Sequence, residues 1–289
     1  MAPQSESSFE RISQTAIANT YFRLLEELPY AEALYRLVDA ETPIGQHIEE
    51  NPRMLAPAAL QVVARYKAVD HLLATSGCTQ IVELASGLLT RGMSLSNDSS
   101  VTFIESDLPG MIARKKELAT RLVGSRPNLH FESINAAAAP SQLPLAAAHL
   151  QAGSSIAVLC EGLLQYLTFE QKVQVAANVR ELLQRFGGIW ITPDLTTREN
   201  YVALASSAAA QAALQNAATG TGRNLMENAF LDVAHAACFF EEQGFRVEKH
   251  SLSEVADDLV CIERLGISSN EARVALLDVY IFALSLSSS

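Results

Sequence analysis

Cysteine is scarce in this 289-residue chain, with one each at positions 78, 160, 238 and 261. No two form a CxxC pair, and no Cys/His group has zinc spacing, so neither a disulfide framework nor a metal site is expected. Basic clusters are also missing. The net charge is −11, and the densest basic run, Arg114-Lys115-Lys116, is followed at once by Glu117. Such a surface repels phosphate backbones, which argues against nucleic acid as a partner. Apolar runs stay far short of the roughly 20 residues that span a bilayer. The opening MAPQSESSFE lacks the charged-then-apolar layout of a signal peptide. The expected setting is therefore reduced and cytoplasmic, with no membrane partner. Charged residues are few, at 18%, against 49% hydrophobic, which excludes general disorder and implies a sizeable core.

What is present divides into a helical start and a strand-rich remainder. From Phe9 to about Glu27 the spacing of Ile12, Ala16, Tyr21, Leu24, Leu25 and Leu28 predicts a helix ended by Pro29. A second helix is expected near Ala31–Ala40. After the punctuated stretch ETPIGQHIEENPR, a long one runs from about Pro57 to Ser76, before Gly77. These precede the first clear strand and form a cap. Strands are then expected at 79–84, 100–105, 128–133, 154–160, 188–192, 245–250 and 275–284. Helices fall between most of them, notably Leu108–Val123 and Thr168–Phe186. The latter opens on the capping box Thr168-x-x-Gln171 and closes at Gly187-Gly188.

This alternation predicts an α/β fold. The sheet is doubly wound, mostly parallel and seven-stranded, with the last strand inserted antiparallel. The expected layout is one domain over 1–289: cap 1–76, cofactor-binding core 77–195, helical insertion 196–244 after the fifth strand, and C-terminal strands 245–289. The insertion is Ala-rich, with Tyr201, a GTGR turn at 220–223, and Met226, Phe230, Cys238 and Phe239 at helical spacing. It either contacts substrate or simply packs on the sheet.

Ligands of open α/β sheets bind at the carboxyl ends of strands, near the switch point. Strand one runs IVEL into ASGLLTRG. Glu83 lies inside this apolar strand, where a carboxylate is costly unless satisfied, and Gly87 permits a tight turn and close ligand approach. Strand two ends in IESDLPG, with Glu105 and Asp107 both at its tip. Asp107 can take the hydroxyls of a ribose, or cap the helix starting near Pro109. Asn135, after strand three, can read an adenine edge or serve only as a turn residue. Glu161, after strand four, faces the same crevice or is a solvated turn carboxylate. Arg65, on the helix before strand one, can hold a ligand carboxylate or lie on the surface. Together these residues suit a ligand with a ribose, an adenine and an amino-acid end.

The segments IVELASGLLTRG, FIESDLPGMIARKKEL and CEGLLQYLTFEQ resemble the leucine carboxyl methyltransferase family, which includes bacterial O-methyltransferases of polyketide and other small-molecule pathways. The likeness extends through ARYKAVDHLL and, more weakly, SQTAIANTYFRLL, covering roughly residues 10–190. It implies a class I methyltransferase fold and S-adenosylmethionine as cofactor. It also implies that Arg65 binds the cofactor carboxylate, that Ala85 and Gly87 lie in the glycine loop, and that Asp107 rather than Glu105 is the ribose acid. Asn135 and Ala136 occupy the adenine position, where the family often has Asp-Leu. Glu161 lies near the methionine part, and Glu83 joins the cofactor-binding candidates. Two positions depart from the pattern: Ala85 replaces the first family glycine, and Leu89 replaces the Asp of G-x-D-x-R.

No catalytic base is evident. No histidine stands near these motifs, and a carboxylate acceptor needs none because it is already ionised. The expected reaction is therefore methyl-ester formation on a small organic acid or natural product, with Tyr21 and Tyr166 as candidate substrate contacts. Tyr166 can equally be a core residue. The alternatives are methylation of a protein C-terminal carboxylate, methylation of a hydroxyl, an NAD-dependent oxidoreductase, and an inactive cofactor-binding protein. The acceptor and the oligomeric state are left open.

Overall fold

The computed structural model describes residues 19–39, 52–200 and 225–287. The first half of the expected Phe9–Glu27 helix, most of the 41–53 stretch, Tyr201 and the GTGR turn lie outside the described residues. Within the cap, residues 19–25 are helical. The helix stops short of the expected Glu27, because Glu27 and Tyr30 take left-handed backbone (φ 57° and 64°) around Pro29. The chain then reverses into α1 (Ala31–Asp39). The long helix α2 (Pro52–Ser76) starts five residues earlier than expected, with Pro57 inside its first turns.

The remainder runs β1 (Gln80–Leu84), α3 (Arg91–Leu95), β2 (Thr102–Asp107), α4 (Pro109–Val123), β3 (Leu129–Ser133), α5 (Pro144–Ala147), β4 (Ile156–Cys160), α6 (Phe169–Phe186) and β5 (Gly188–Thr192). After these come α7 (Val233–Glu242), β6 (Phe245–Ser251), α8 (Cys261–Leu265), α9 (Ser269–Leu276) and β7 (Tyr280–Leu286). The seven strands form one sheet in the order β3-β2-β1-β4-β5-β7-β6. The first five are parallel, and β7 enters antiparallel to both β5 and β6, as expected. The seventh strand was expected from residue 275 but begins at Tyr280. The apolar letters ALLDV belong to the end of α9 and its turn, and α9 opens on a capping box made by Ser268 and Glu271.

Period-two alternation sorts the strand side chains onto two faces. Ile81, Phe103, Ala157 and Leu159 join the cluster under the cap, α2 and the C-terminal helices. Val82, Ile104, Ile156 and Val158 join the cluster under α5, α6 and α7. Helix α6 shows why its sequence is helical: Val175, Ala176, Val179, Leu182, Leu183 and Phe186 are buried at i, i+3, i+4 spacing. The Thr168/Gln171 box caps its start, and Gly187 ends it at φ 73°. Gly188 then lets β5 approach β4, because a Cβ there would run into the backbone of Ile156.

Between β5 and α7 the described chain bridges Thr197 to Phe230. The expected helical spacing holds for Cys238 and Phe239 in α7, whereas Met226 lies in a turn and Phe230 in that bridge before it. No described helix is long and apolar enough to cross a membrane. Sequential strand order reverses between β1 and β4, so the crevice at their carboxyl ends is the ligand-binding position of this topology.

Candidate functional site

The loop after β1 is built by backbone strain and one carboxylate. Ala85 and Gly87 both take left-handed backbone, at φ 51° and 47°. The turn is held when Ser86 N–H donates to Ser106 O at 2.9 Å. The Gly87 N–H donates to Asp107 Oδ2 at 2.8 Å, and the Leu108 N–H donates to Oδ1 at 2.7 Å. Asp107 thus ties the end of β2 to the glycine turn. It does not cap α4, whose N-cap is Leu108 with Pro109 next and no side-chain cap bond. Burial pushes the Asp107 carboxyl up, while the two amide bonds pull it back. Each oxygen keeps a second lone pair, and the side chain is only half-buried. A methyl placed on Gly87 would meet nothing nearer than Ala85 O at 3.9 Å, so the space above the turn is open.

Glu83 is paired on one oxygen with a residue outside the expected site, and its Oε2 is buried without a hydrogen-bond partner. Arg91, in α3, is 1% exposed and donates Nη1 to Glu83 Oε1. Its Nε reaches Asp70 Oδ1 at 2.6 Å, and Nη2 reaches Glu161 Oε2 and Tyr66 O, each at 3.3 Å. Its guanidinium lies 4.1 Å from the Tyr66 ring centroid. Burial alone would lower the Arg91 pKa, but the surrounding anions more than offset it and hold the residue charged. Burial raises the Glu83 carboxyl to about 7, with Arg91 acting against the rise. This knot joins α2, β1, α3 and the end of β4. Glu161 is therefore a buried, paired carboxylate rather than a solvated one. It also lies 3.9 Å from Nη2 of Arg23 in the cap.

Glu105 does not stand beside Asp107 at the crevice. It is fully buried and paired at 2.5 Å with Lys115 of α4, itself 0% exposed. Lys115 also donates to Leu89 O. The ESDLP-x4-RK pattern therefore contains an internal ion pair that fixes α4 on β2. Leu89 packs with Leu28, Ala31 and Tyr66, so the position where the family carries Asp is here an apolar contact with the cap.

The turn after β4 is held by Asp194, two residues past β5. Its carboxylate accepts the N–H groups of Gly162, Leu163 and Leu164 at 2.7, 2.7 and 2.8 Å. Burial raises its pKa, and the three amides act against that. Arg65 is half-buried on α2 and donates Nε–H to Gln61 O of its own helix at 3.0 Å. Burial raises the Tyr166 phenol, and the charge of Arg65 works against it. Arg65 likewise lowers Asp194, so these three share one neighbourhood.

Asn135 is exposed, and its Oδ1 accepts the Ala137 N–H at 3.0 Å in a side-chain turn. Ala136 is buried, and its carbonyl accepts from Asn178 of α6 at 2.8 Å. Tyr21 is 7% exposed and packs against Phe22 and Tyr35 in the cap core. Among the described residues, no histidine stands at the ends of β1, β2 or β4. His235 packs on Phe169 and Phe230, His250 on Glu248, and His130 on His149.

The structure thus brings Gly87 and Asp107 together, and Glu83 and Glu161 together through Arg91, and it sets Tyr166 within the electrostatic reach of Arg65. Sequence reasoning passed over Arg91, Asp194, Lys115 and Arg23. Arg91, Lys115 and, in the more weakly matching N-terminal segment, Arg23 are letters of the quoted motifs, whereas Asp194 carries no local signal.

The family model for leucine carboxyl methyltransferases matches residues 10–180. A curated protein of Mycolicibacterium paratuberculosis, assigned to the S-adenosyl-L-methionine-dependent methyltransferases, is 31% identical over 156 residues, 49% of this chain and 50% of that protein. The chain spans about half the length of this curated relative. A DUF574 family protein of Streptomyces avermitilis superposes with a TM-score of 0.54 at 15% identity, covering 94% of this chain and 97% of that one. That likeness shows a shared fold.

Proposed function

The chain belongs to the leucine carboxyl methyltransferase family, and from that premise we propose that it is an S-adenosylmethionine-dependent O-methyltransferase acting on the carboxylate of a small organic acid. The observation that carries this reading is the coupled pair at the sheet's switch point: an open glycine turn whose amide is held by Asp107. That is the arrangement a nucleoside needs, with close backbone approach and an acid at the ribose. Asp107 offers its remaining lone pairs to the ribose hydroxyls. Asn135 and Ala136 border the adenine. Glu161 and, from the resemblance, Arg65 serve the amino-acid end, with Glu83 supporting Glu161 through Arg91.

When bound, the cofactor supplies a methyl already activated by its sulfonium. What remains for the protein is to hold an acceptor oxygen in line and exclude water. A carboxylate acceptor arrives ionised, so no proton has to be moved. That accords with the absence of histidine from the crevice among the described residues. Tyr166 and Tyr21 are the candidate acceptor contacts. Tyr166 is the better placed, because it follows the β4 turn held by Asp194 and feels the charge of Arg65, whereas Tyr21 packs in the cap core. The apolar cap suits a small hydrophobic acid. Incubation with methyl-labelled cofactor and a panel of such acids is expected to give a base-labile labelled ester. Label confined to protein C-termini, or stable to base, would refute the acceptor assignment.

A further inference from the structure

Leu225 and Ala229 are buried but belong to neither core. They form a separate apolar cluster, and the half-buried Tyr166 packs against it. None of the three joins the residues under the cap or those under α5, α6 and α7. Met226, next to Leu225 in the chain, is 39% exposed, so this stretch borders solvent.

The two sides of the cluster are held at a fixed spacing. Tyr166 ends the short turn 164–166 after β4, and Asp194 holds the amides just before it. The 225–230 segment is tied to the end of β5. There the Phe230 N–H donates to Thr196 O at 3.2 Å, and the Arg198 N–H donates to Phe230 O at 2.8 Å. Lys172 of α6, 1% exposed, joins the two sides. Its ammonium donates to Leu167 O at 2.8 Å and to Asn228 O at 2.6 Å. One buried cation thus clamps the Tyr166 turn to the Leu225–Ala229 segment, and their separation is set before any ligand arrives.

Position in the sheet says what this surface meets. Gly87 and Asp107 follow β1 and β2, where the nucleoside reading places the cofactor. Strands β4 and β5 lie on the other side of β1, and their carboxyl ends carry the cluster. An acceptor that meets the cofactor at this edge therefore lies over β4 and β5. Apart from one phenol, the three side chains offer only hydrocarbon, which favours an apolar ligand. Resting on the acceptor reading above, we propose that Leu225 and Ala229, with Tyr166, form the specificity-determining wall for the acceptor's hydrocarbon body. Ala229 is the gauge, because its single methyl leaves room that a larger side chain would fill. The acceptor is then an aliphatic acid selected by length.

The test gives the full chain methyl-labelled S-adenosylmethionine and straight-chain acids from butanoic to dodecanoic, and reads kcat and KM for each. Wild type is expected to gain about 4-fold in kcat/KM per added methylene up to a length limit. Ala229→Leu should lower that limit by about three carbons, with the longer acids losing about 10-fold or more through KM. Leu225→Ala should raise the limit by a similar amount, and it carries the test if Ala229→Leu fails to fold. Affinity for S-adenosylhomocysteine, by calorimetry, should stay within about 2-fold of wild type in both. A length profile unmoved in both variants would overturn the proposal. So would an equal fall on every acid, which marks residues that only support the fold. Wild-type esterification of other acids but none of this series would overturn it too. A wild type that binds S-adenosylhomocysteine yet esterifies no acid of any kind would instead sink the carboxylate reading itself.

Discussion

Gly92→Ala is the sharpest single test of how the site is assembled. Gly92 follows Arg91 in α3, and a methyl built on it would overlap the Glu105 carboxyl. Glu105 Cδ and Phe103 Cδ1 would each lie at 2.9 Å. Neither side chain can swing away, because both are 0% exposed and Glu105 is paired with Lys115 at 2.5 Å. One way to relieve the clash is for α3 to shift, an overpacking cost of roughly 1–3 kcal/mol. The other is for the buried pair to open, which costs roughly 3–5 kcal/mol. The cheaper route sets the expected loss at about 1–3 kcal/mol, read as a lower urea midpoint at unchanged slope. Because Arg91 moves with α3, S-adenosylhomocysteine affinity should fall as well. Adding Glu105→Ala and Lys115→Met, which empty the space without stranding a charge, should make the Gly92→Ala step smaller. A Gly92→Ala protein within about 0.5 kcal/mol of wild type, the range of a neutral surface change, would refute the packing argument.

Three further outcomes follow from the same geometry. Ala85→Gly should raise stability by about 0.5–1 kcal/mol, since an L-residue at φ 51° costs about 1–2 kcal/mol and glycine's entropy returns only part of it; a thermal melt that falls instead would contradict this. The Glu83 carboxyl, raised from 4.5 to about 7, favours the folded state when protonated. Its contribution should be full below about pH 4.5 and lost as pH rises through about 7, and Glu83→Gln should flatten the urea midpoint between pH 5 and 8. Asp194→Asn should cost about 3 kcal/mol, because one carbonyl oxygen cannot serve three amides and its NH2 would face donors; a loss under about 0.5 kcal/mol by urea titration would show that the turn holds without the charge.

The strand ladder was legible because β1, β4 and β5 are short apolar runs between turn signals, and because a βα alternation admits few topologies. The start of β7 was misread because ALLDV continues the apolar run backward. The capping letters Ser268 and Glu271 were available to mark it as helix. At the site, Gly87 and Asp107 could be read because each stands at a strand end, a position that topology makes meaningful. Glu105 was misplaced because residues two apart on a strand share a face but not a depth: Asp107 ends β2, whereas Glu105 lies buried within it. Lys115, one helix later, decides that Glu105 is structural. Arg91 gathers charges from α2, β1 and the end of β4, and Asp194 reaches back over thirty residues to the 162–164 amides. Long-range satisfaction of this kind leaves no spacing to read.

The central claim is that the crevice beside Gly87 and Asp107 holds S-adenosylmethionine. Calorimetric titration of the full chain with S-adenosylhomocysteine, alongside NAD and an Asp107→Ala variant, tests it most directly. The account predicts one site per chain for S-adenosylhomocysteine, weakened by about 10-fold or more in Asp107→Ala, and none for NAD. Binding of NAD without S-adenosylhomocysteine, or S-adenosylhomocysteine affinity indifferent to Asp107, would contradict it.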